Sequence, residues 1–101
     1  MLAVTLCRVP PTEHAPFLAA ARDALTSLAQ RPGFHRGHLG RALDDETQWV
    51  LSTEWGAVGD YRRGLSAYDV KVALAPLMVF MVDAPSAYEV VATVETGPGG
   101  S

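Results

Sequence analysis

Gln48-Trp49-Val50-Leu51-Ser52-Thr53-Glu54-Trp55 is the stretch that decides the fold. Successive side chains of an extended chain point to opposite sides. Trp49, Leu51, Thr53 and Trp55 therefore share one face, and Gln48, Val50, Ser52 and Glu54 the other. Gly56 ends the run. Just upstream, Asp44-Asp45-Glu46-Thr47 has the composition of a turn. Before it, Phe34 to Leu43 reads as a second strand, polar enough to sit at an edge or to line a cavity. The two strands make a hairpin.

Working outward, Leu2 to Val9 is a strand rich in Leu, Val and Thr, stopped by Pro10-Pro11. Thr12 is placed to cap a helix, with Glu13 in its first turn. Phe17, Ala20, Ala21, Ala24, Leu25 and Leu28 recur at helical spacing, so a helix is predicted to about Gln30, before the Pro32-Gly33 stop. After Gly56, a second helix is predicted from about Val58 to Ala67, and Tyr68 to Ala75 adds a turn or two before Pro76. Leu77 to Val82 is apolar but irregular and takes no assignment. Ser86 to Glu95 reads as a last strand, with Tyr88, Val90, Ala92 and Val94 on one face. The order β-α-β-β-α-β is the split βαβ, ferredoxin-like pattern, an α+β fold on an antiparallel sheet. Residues 1–95 form one domain, which is what 101 residues allow. Residues 96–101, ending Gly-Pro-Gly-Gly-Ser, are expected to be a disordered tail.

Composition adds a partner. The chain is 49% apolar and 19% charged, greasier than a small monomer needs. Two helices cover one face of a four-stranded sheet, and the other face should then be polar. Instead Leu2, Val4 and Leu6 oppose Ala3, Cys7 and Val9, and Tyr88, Val90 and Val94 oppose Ala87 and Val91. The uncovered face would be a larger apolar patch than monomers usually show, so a homodimer packed sheet to sheet is expected.

The net charge of −3, with Arg62-Arg63 as the only basic pair, speaks against nucleic acid and against an anionic membrane surface. Cys7 is the only cysteine, so neither an internal disulfide nor a cysteine zinc site of usual spacing can form; it reads as a small buried hydrophobe. The longest apolar run, about Val72 to Val82, is broken by Pro76 and too short to span a bilayer. No charged region opens a signal peptide, and a cytoplasmic location is the expectation.

Three stretches together resemble a known family. Arg31-Pro32-Gly33-Phe34 closes a helix and opens a strand. Asp44-Asp45 precedes a strand ending Thr53-Glu54-Trp55. Gly56-Ala57-Val58-Gly59-Asp60-Tyr61-Arg62-Arg63 opens a helix straight after that tryptophan. This arrangement, over roughly Leu2 to Glu95, resembles the antibiotic biosynthesis monooxygenase family. The resemblance implies a dimeric α+β barrel with a pocket between sheet and helices in each subunit. The family holds quinol and anthrone monooxygenases that use no metal and no flavin, and heme-degrading enzymes. The heme-degrading branch carries Asn, Trp and His where this chain has Cys7, Gly64 and Leu74, so that activity is not expected.

Cofactor-free oxygenation of a phenol, quinol or anthrone needs a base, a donor or cation that holds the phenolate, and a dry apolar pocket. The resemblance thus points to His38 as base and to Tyr61 and Tyr68 as donors, with Trp55, Trp49, Met78 and Phe80 binding the ring and Met81 beside them. Each has a plainer reading. His38 also suits a half-exposed strand position, the tryptophans and Met78 to Met81 suit core packing, and the tyrosines suit an amphipathic helix. His35 should point away from His38, His14 to solvent, and Glu54 outward toward Arg8 or Arg41. No cofactor and no metal are expected. The alternatives are a non-catalytic small-molecule-binding or stress-associated dimer of the same fold, and, ranked last, a heme binder.

Overall fold

In the computed structural model, which describes residues 1–97, the hairpin is β2 (Phe34–Arg41) and β3 (Gln48–Trp55), antiparallel, with His38 opposite Ser52 and Leu39 opposite Leu51. β1 (Leu2–Arg8) lies on the other side of β3, pairing Ala3 with Thr53 and Thr5 with Leu51. β4 (Ala87–Tyr88) pairs with the start of β1. The sheet order β2-β3-β1-β4, with every pair antiparallel, is the ferredoxin-like arrangement. The 98–101 part of the expected tail lies outside the described residues.

Helix α1 (His14–Ala29) covers the inner face of the sheet. Its buried stripe of Phe17, Ala21, Ala24 and Leu28 meets Trp49, Leu51 and Cys7. The alanines let the helix come close. Gly37 does the same from below, because a Cβ there would stand 2.8 Å from Leu25 Cδ2. A second cluster joins Leu28, Trp55 and Val70. Phe34 and Tyr61 press edge-on against Trp55, with ring centroids 5.3 and 5.8 Å away. Gly33 turns the chain from α1 into β2 at φ +86°, a backbone that only glycine takes without strain, and its carbonyl accepts the Gly56 N–H at 2.8 Å.

The second helical region is two helices. α2 (Val58–Ser66) stops at Ala67, whose extended backbone turns the chain, and α3 (Tyr68–Leu74) follows. Of the unassigned apolar run, Leu77 to Phe80 falls in a 3-10 helix, Ala75–Phe80, with Pro76 in its first turn, where a missing N–H costs nothing. Thr12 caps nothing; it lies in a 3-10 turn, Pro11–Glu13, that leads into α1.

The last strand departs most from expectation. The chain runs along β1 from Met81, which bridges to Cys7, through Val82 and Ser86 to Tyr88 opposite Leu2. There β1 has run out of residues. Glu89 to Gly97 therefore finds no strand to pair with and stays exposed, Val94 at 96%.

Candidate functional site

A cavity of about 690 Å³ opens between the inner face of the sheet and the second helical layer. Its size falls in the range of small-molecule sites. Ala3 and Thr5 of β1 and Leu51 and Thr53 of β3 form the floor. Tyr61 and Leu65 of α2 and Leu74 of α3 make the wall, closed on the α1 side by Leu28. The exposed side chains of Lys71, Met78 and Asp83, with Ser86, stand at the mouth. The lining is mainly apolar and holds two charged side chains, Lys71 and Asp83.

Of the residues the sequence singled out, the fold brings Tyr61, Met78 and Met81 to this cavity and separates the others from it. His38 pairs with Ser52 on the outer face, exposed and away from the helices. Tyr68 opens α3 with 83% of its surface exposed and does not line the cavity. Trp55 is a buried support behind the floor, 1% exposed. Trp49 lies further along the same face, in contact with Phe17 and His14. Phe80 is packed edge-on against Phe17 in the core, 5.5 Å between centroids.

Three side chains take other surroundings than their sequence suggests. His14 is half-buried, edge-on to Trp49 at 5.4 Å, because α1 starts two residues later than Thr12 and swings its first residue onto the sheet. A bulge between Phe34 and Arg36 cancels the alternation of β2, and His35 Nδ1 comes within 3.9 Å of Glu54, which also faces Arg36 at 3.6 Å. Arg8 and Arg41 are engaged elsewhere, Arg8 with Asp45 at 3.7 Å and Arg41 over the Trp49 ring at 5.4 Å.

Thr53 is the polar residue that sequence reasoning passed over. It is 5% exposed, the one buried polar side chain among the described residues, and it lines the cavity. The Trp55 Nε1–H donates to its hydroxyl oxygen at 2.9 Å. The alternation of β3 already placed Thr53 between two inward tryptophans, which was the available signal. Lys71 and Asp83 gave none: Lys71 lies in a helical turn whose packing the sequence does not show, and Asp83 follows a run that takes no assignment. Burial pushes the Cys7 thiol above its ordinary pKa, which keeps it protonated and unreactive. Among the described residues, no three His, Cys, Asp or Glu side chains converge as a metal site. Among the described residues, no helix is long and apolar enough to cross a membrane.

A sequence model of the antibiotic biosynthesis monooxygenase family matches residues 1–61, which include β1, α1, the hairpin and the start of α2. The chain belongs to this family. Solved structures share the fold beyond the matched region. One is SnoaB, a cofactor-independent oxygenase from Streptomyces nogalater, with TM-score 0.75 and 22% identity over 96% of this chain and 95% of that one. A Deinococcus radiodurans protein assigned to the antibiotic biosynthesis monooxygenases superimposes with TM-score 0.79 and 13% identity, covering 96% and 98% of the two chains. Another such protein, from Nitrosomonas europaea, gives TM-score 0.73 and 17% identity over 90% and 98%. At these identities the likeness is one of fold. No curated protein matches the chain.

Proposed function

We propose that this protein is a monooxygenase that oxidises a small aromatic substrate of the phenol, quinol or anthrone type in the cavity between sheet and helices, without a bound cofactor, and that it works as a homodimer. The observation that carries the reading is the cavity itself. It has room for a ring system, an apolar wall, hydroxyl-bearing residues Thr5, Thr53 and Tyr61 along it with Ser86 at the mouth, and one cation, Lys71, also at the mouth.

The chemistry asks little of such a site. An electron-rich phenol that loses its proton becomes able to reduce oxygen. For an anthrone-type ring, the CH₂ carbon of the ionised substrate joins O₂ as a peroxide. Loss of water then leaves C=O, so one oxygen atom enters the product and the other departs as H₂O. The substrate supplies all four electrons. The protein's part is to hold the phenolate through Lys71 and the hydroxyl donors, and to keep water from the reacting carbon. The proton leaves to solvent at the mouth, where Asp83 stands.

The outer face of the sheet supports the dimer. Leu2, Val4, Leu6 and Val50 lie there, and beyond β4 the chain continues through Val90, Val91 and Val94 with no cover. Burying several hundred Å² of such surface at about 25 cal/mol per Å² offsets a large part of the cost of association.

Oxygen uptake with a panel of hydroquinones and anthrones tests the activity. Thr5→Phe, which would fill the cavity from its floor, should abolish turnover, and Lys71→Met should lower it about tenfold or more, in line with the loss of one charged donor. Absence of uptake on the whole panel, together with clear thermal stabilisation by the same compounds, would instead establish a binding module. That second reading is favoured by one observation: none of the three histidines lines the cavity.

A further inference from the structure

Thr53 is placed to do more than fill the floor. A hydroxyl has one O–H to donate and two lone pairs to receive. The Trp55 Nε1–H, a group that can only donate, takes a lone pair at 2.9 Å. The hydroxyl proton has no acceptor among the described residues, although Thr53 is 95% withdrawn from solvent, being 5% exposed. The methyl group lies on the β2 side, with Cγ2 3.3 Å from where a Cβ at Gly37 would stand. On the β1 side the residue directly opposite is Ala3, too short to cover the oxygen. Ala3 and Thr53 both line the cavity.

Trp55 cannot turn to relieve this arrangement. It is 1% exposed and clamped edge-on by Phe34 and Tyr61. The direction of the hydrogen bonding is therefore fixed: tryptophan to threonine, and threonine into the cavity. A donor whose own oxygen already accepts is strengthened, and a buried donor left without a partner carries a desolvation cost that a suitable ligand removes.

From this we infer that Thr53 is the cavity's specificity-determining donor and that it selects aromatic ligands bearing an acceptor oxygen, a phenolate or ring carbonyl, over apolar rings of the same shape. Trp55 acts through Thr53 as a positioning residue. The inference rests on the cavity being the ligand site, as proposed above. Lys71 attracts an anion at the mouth, and Thr53 reads the oxygen at depth.

The experiment compares 1-naphthol with 1-methylnaphthalene, which matches it in shape but has no oxygen. Binding to the full chain is followed under argon by ¹⁵N–¹H NMR, so that oxidation cannot intervene. Thr53→Val should weaken 1-naphthol binding about tenfold, the loss of one hydrogen bond in an apolar cavity, and leave 1-methylnaphthalene within about twofold. Thr53→Ser should restore the preference. In the wild-type protein, 1-naphthol alone should shift the Trp55 indole N–H signal, because that group shares the threonine oxygen. Should Thr53→Val not fold, Thr53→Cys, with its weak S–H donor, should reduce the preference in the same direction. Equal weakening of both probes by either variant, or no weakening of 1-naphthol, overturns the role of Thr53 while the cavity's function stands. Failure of the wild-type protein to bind either probe overturns both.

Discussion

Gly64→Ala pits two known effects against each other, and the structure decides the sign. Gly64 is buried in α2 with an ordinary negative φ, so alanine fits the backbone. Replacing glycine inside a helix gains about 0.5–1 kcal/mol from chain entropy and propensity. Against this, the new Cβ would stand 3.0 Å from Trp55 Cη2 and 3.4 Å from Cζ3. The ring must retreat by a few tenths of an ångström, yet Phe34, Tyr61 and the bond to Thr53 hold it. Overpacking of a fixed side chain costs about 1–3 kcal/mol. The net expectation is destabilisation by about 1 kcal/mol, or a Tm lower by about 5 °C for a domain of this size. Gly59→Ala is the internal control. It lies in the same helix, but its Cβ would meet only the far end of Arg63, 3.3 Å from Nη1, a side chain 73% exposed that can swing away. That variant should be stabilised by about 0.5 kcal/mol. Urea unfolding followed by circular dichroism, with the m-value unchanged, measures both. Stabilisation of the two variants by the same amount would refute the claim that Trp55 is immobile, and with it the fixed orientation of Thr53.

The Cys7 thiol should react slowly with a disulfide reagent in the folded protein and rapidly in urea; because its folded pKa is raised above that of the unfolded chain, stability should hold below about pH 8.5 and decline as pH rises beyond it, a slope that Cys7→Ala removes. Asp45 is held below its ordinary pKa, chiefly by the Thr47 hydroxyl at 2.6 Å, then by the Thr47 backbone N–H at 3.0 Å and by Arg8. Its contribution is therefore present above about pH 4 and lost as pH falls through the lowered value, so Asp45→Asn should flatten the fall of Tm below about pH 4. Ending the chain after Tyr88 removes an exposed segment and no pairing seen within the subunit, so sedimentation should report weakening of the proposed dimer with an unchanged circular dichroism spectrum; unaltered association would show that Val90 to Val94 does not cover a partner. If the substrate's own ionisation limits the rate, the pH profile of oxygen uptake should inflect at the substrate's pKa and move when the substrate is changed, whereas a fixed inflection near 6.5 would point to a histidine base.

The architecture was legible because it is written in periodicity. The alternation of β3 was enough to place Trp49, Leu51, Thr53 and Trp55 on one buried face, and the α1 stripe from Phe17 to Leu28 needed no tertiary information. What the sequence hid is set by neighbours. Ser86 to Glu95 alternates like a strand throughout, yet pairs only at Ala87 and Tyr88, because a strand needs a partner of equal reach and β1 begins at Leu2. The bulge at His35 shifts side chains between faces without any marker in composition. The position of His38 could not be read because the inner or outer identity of β2 depends on its register against β3.

These two kinds of information divide the site as well. Histidines drew notice in the sequence because histidine is the usual base, and none lines the cavity: His38 is exposed on the outer face, His35 stands beside Glu54, and His14 is half-buried against Trp49. The polar groups the cavity contains include Thr5, Thr53, Tyr61, Lys71 and Asp83, drawn from five different segments, and Asp83 lies in one to which the sequence gives no assignment. A site built from hydrogen-bond donors and one cation fits chemistry in which the substrate and oxygen carry the electrons and the protein supplies position and field. Such a site has no motif to find. Its signature is a buried polar side chain at the cavity whose hydrogen bonding is incomplete, and Thr53, held by Trp55, is such a residue; the unpartnered His14 Nε2, Arg31 Nε and Trp49 Nε1 belong to residues that do not line the cavity.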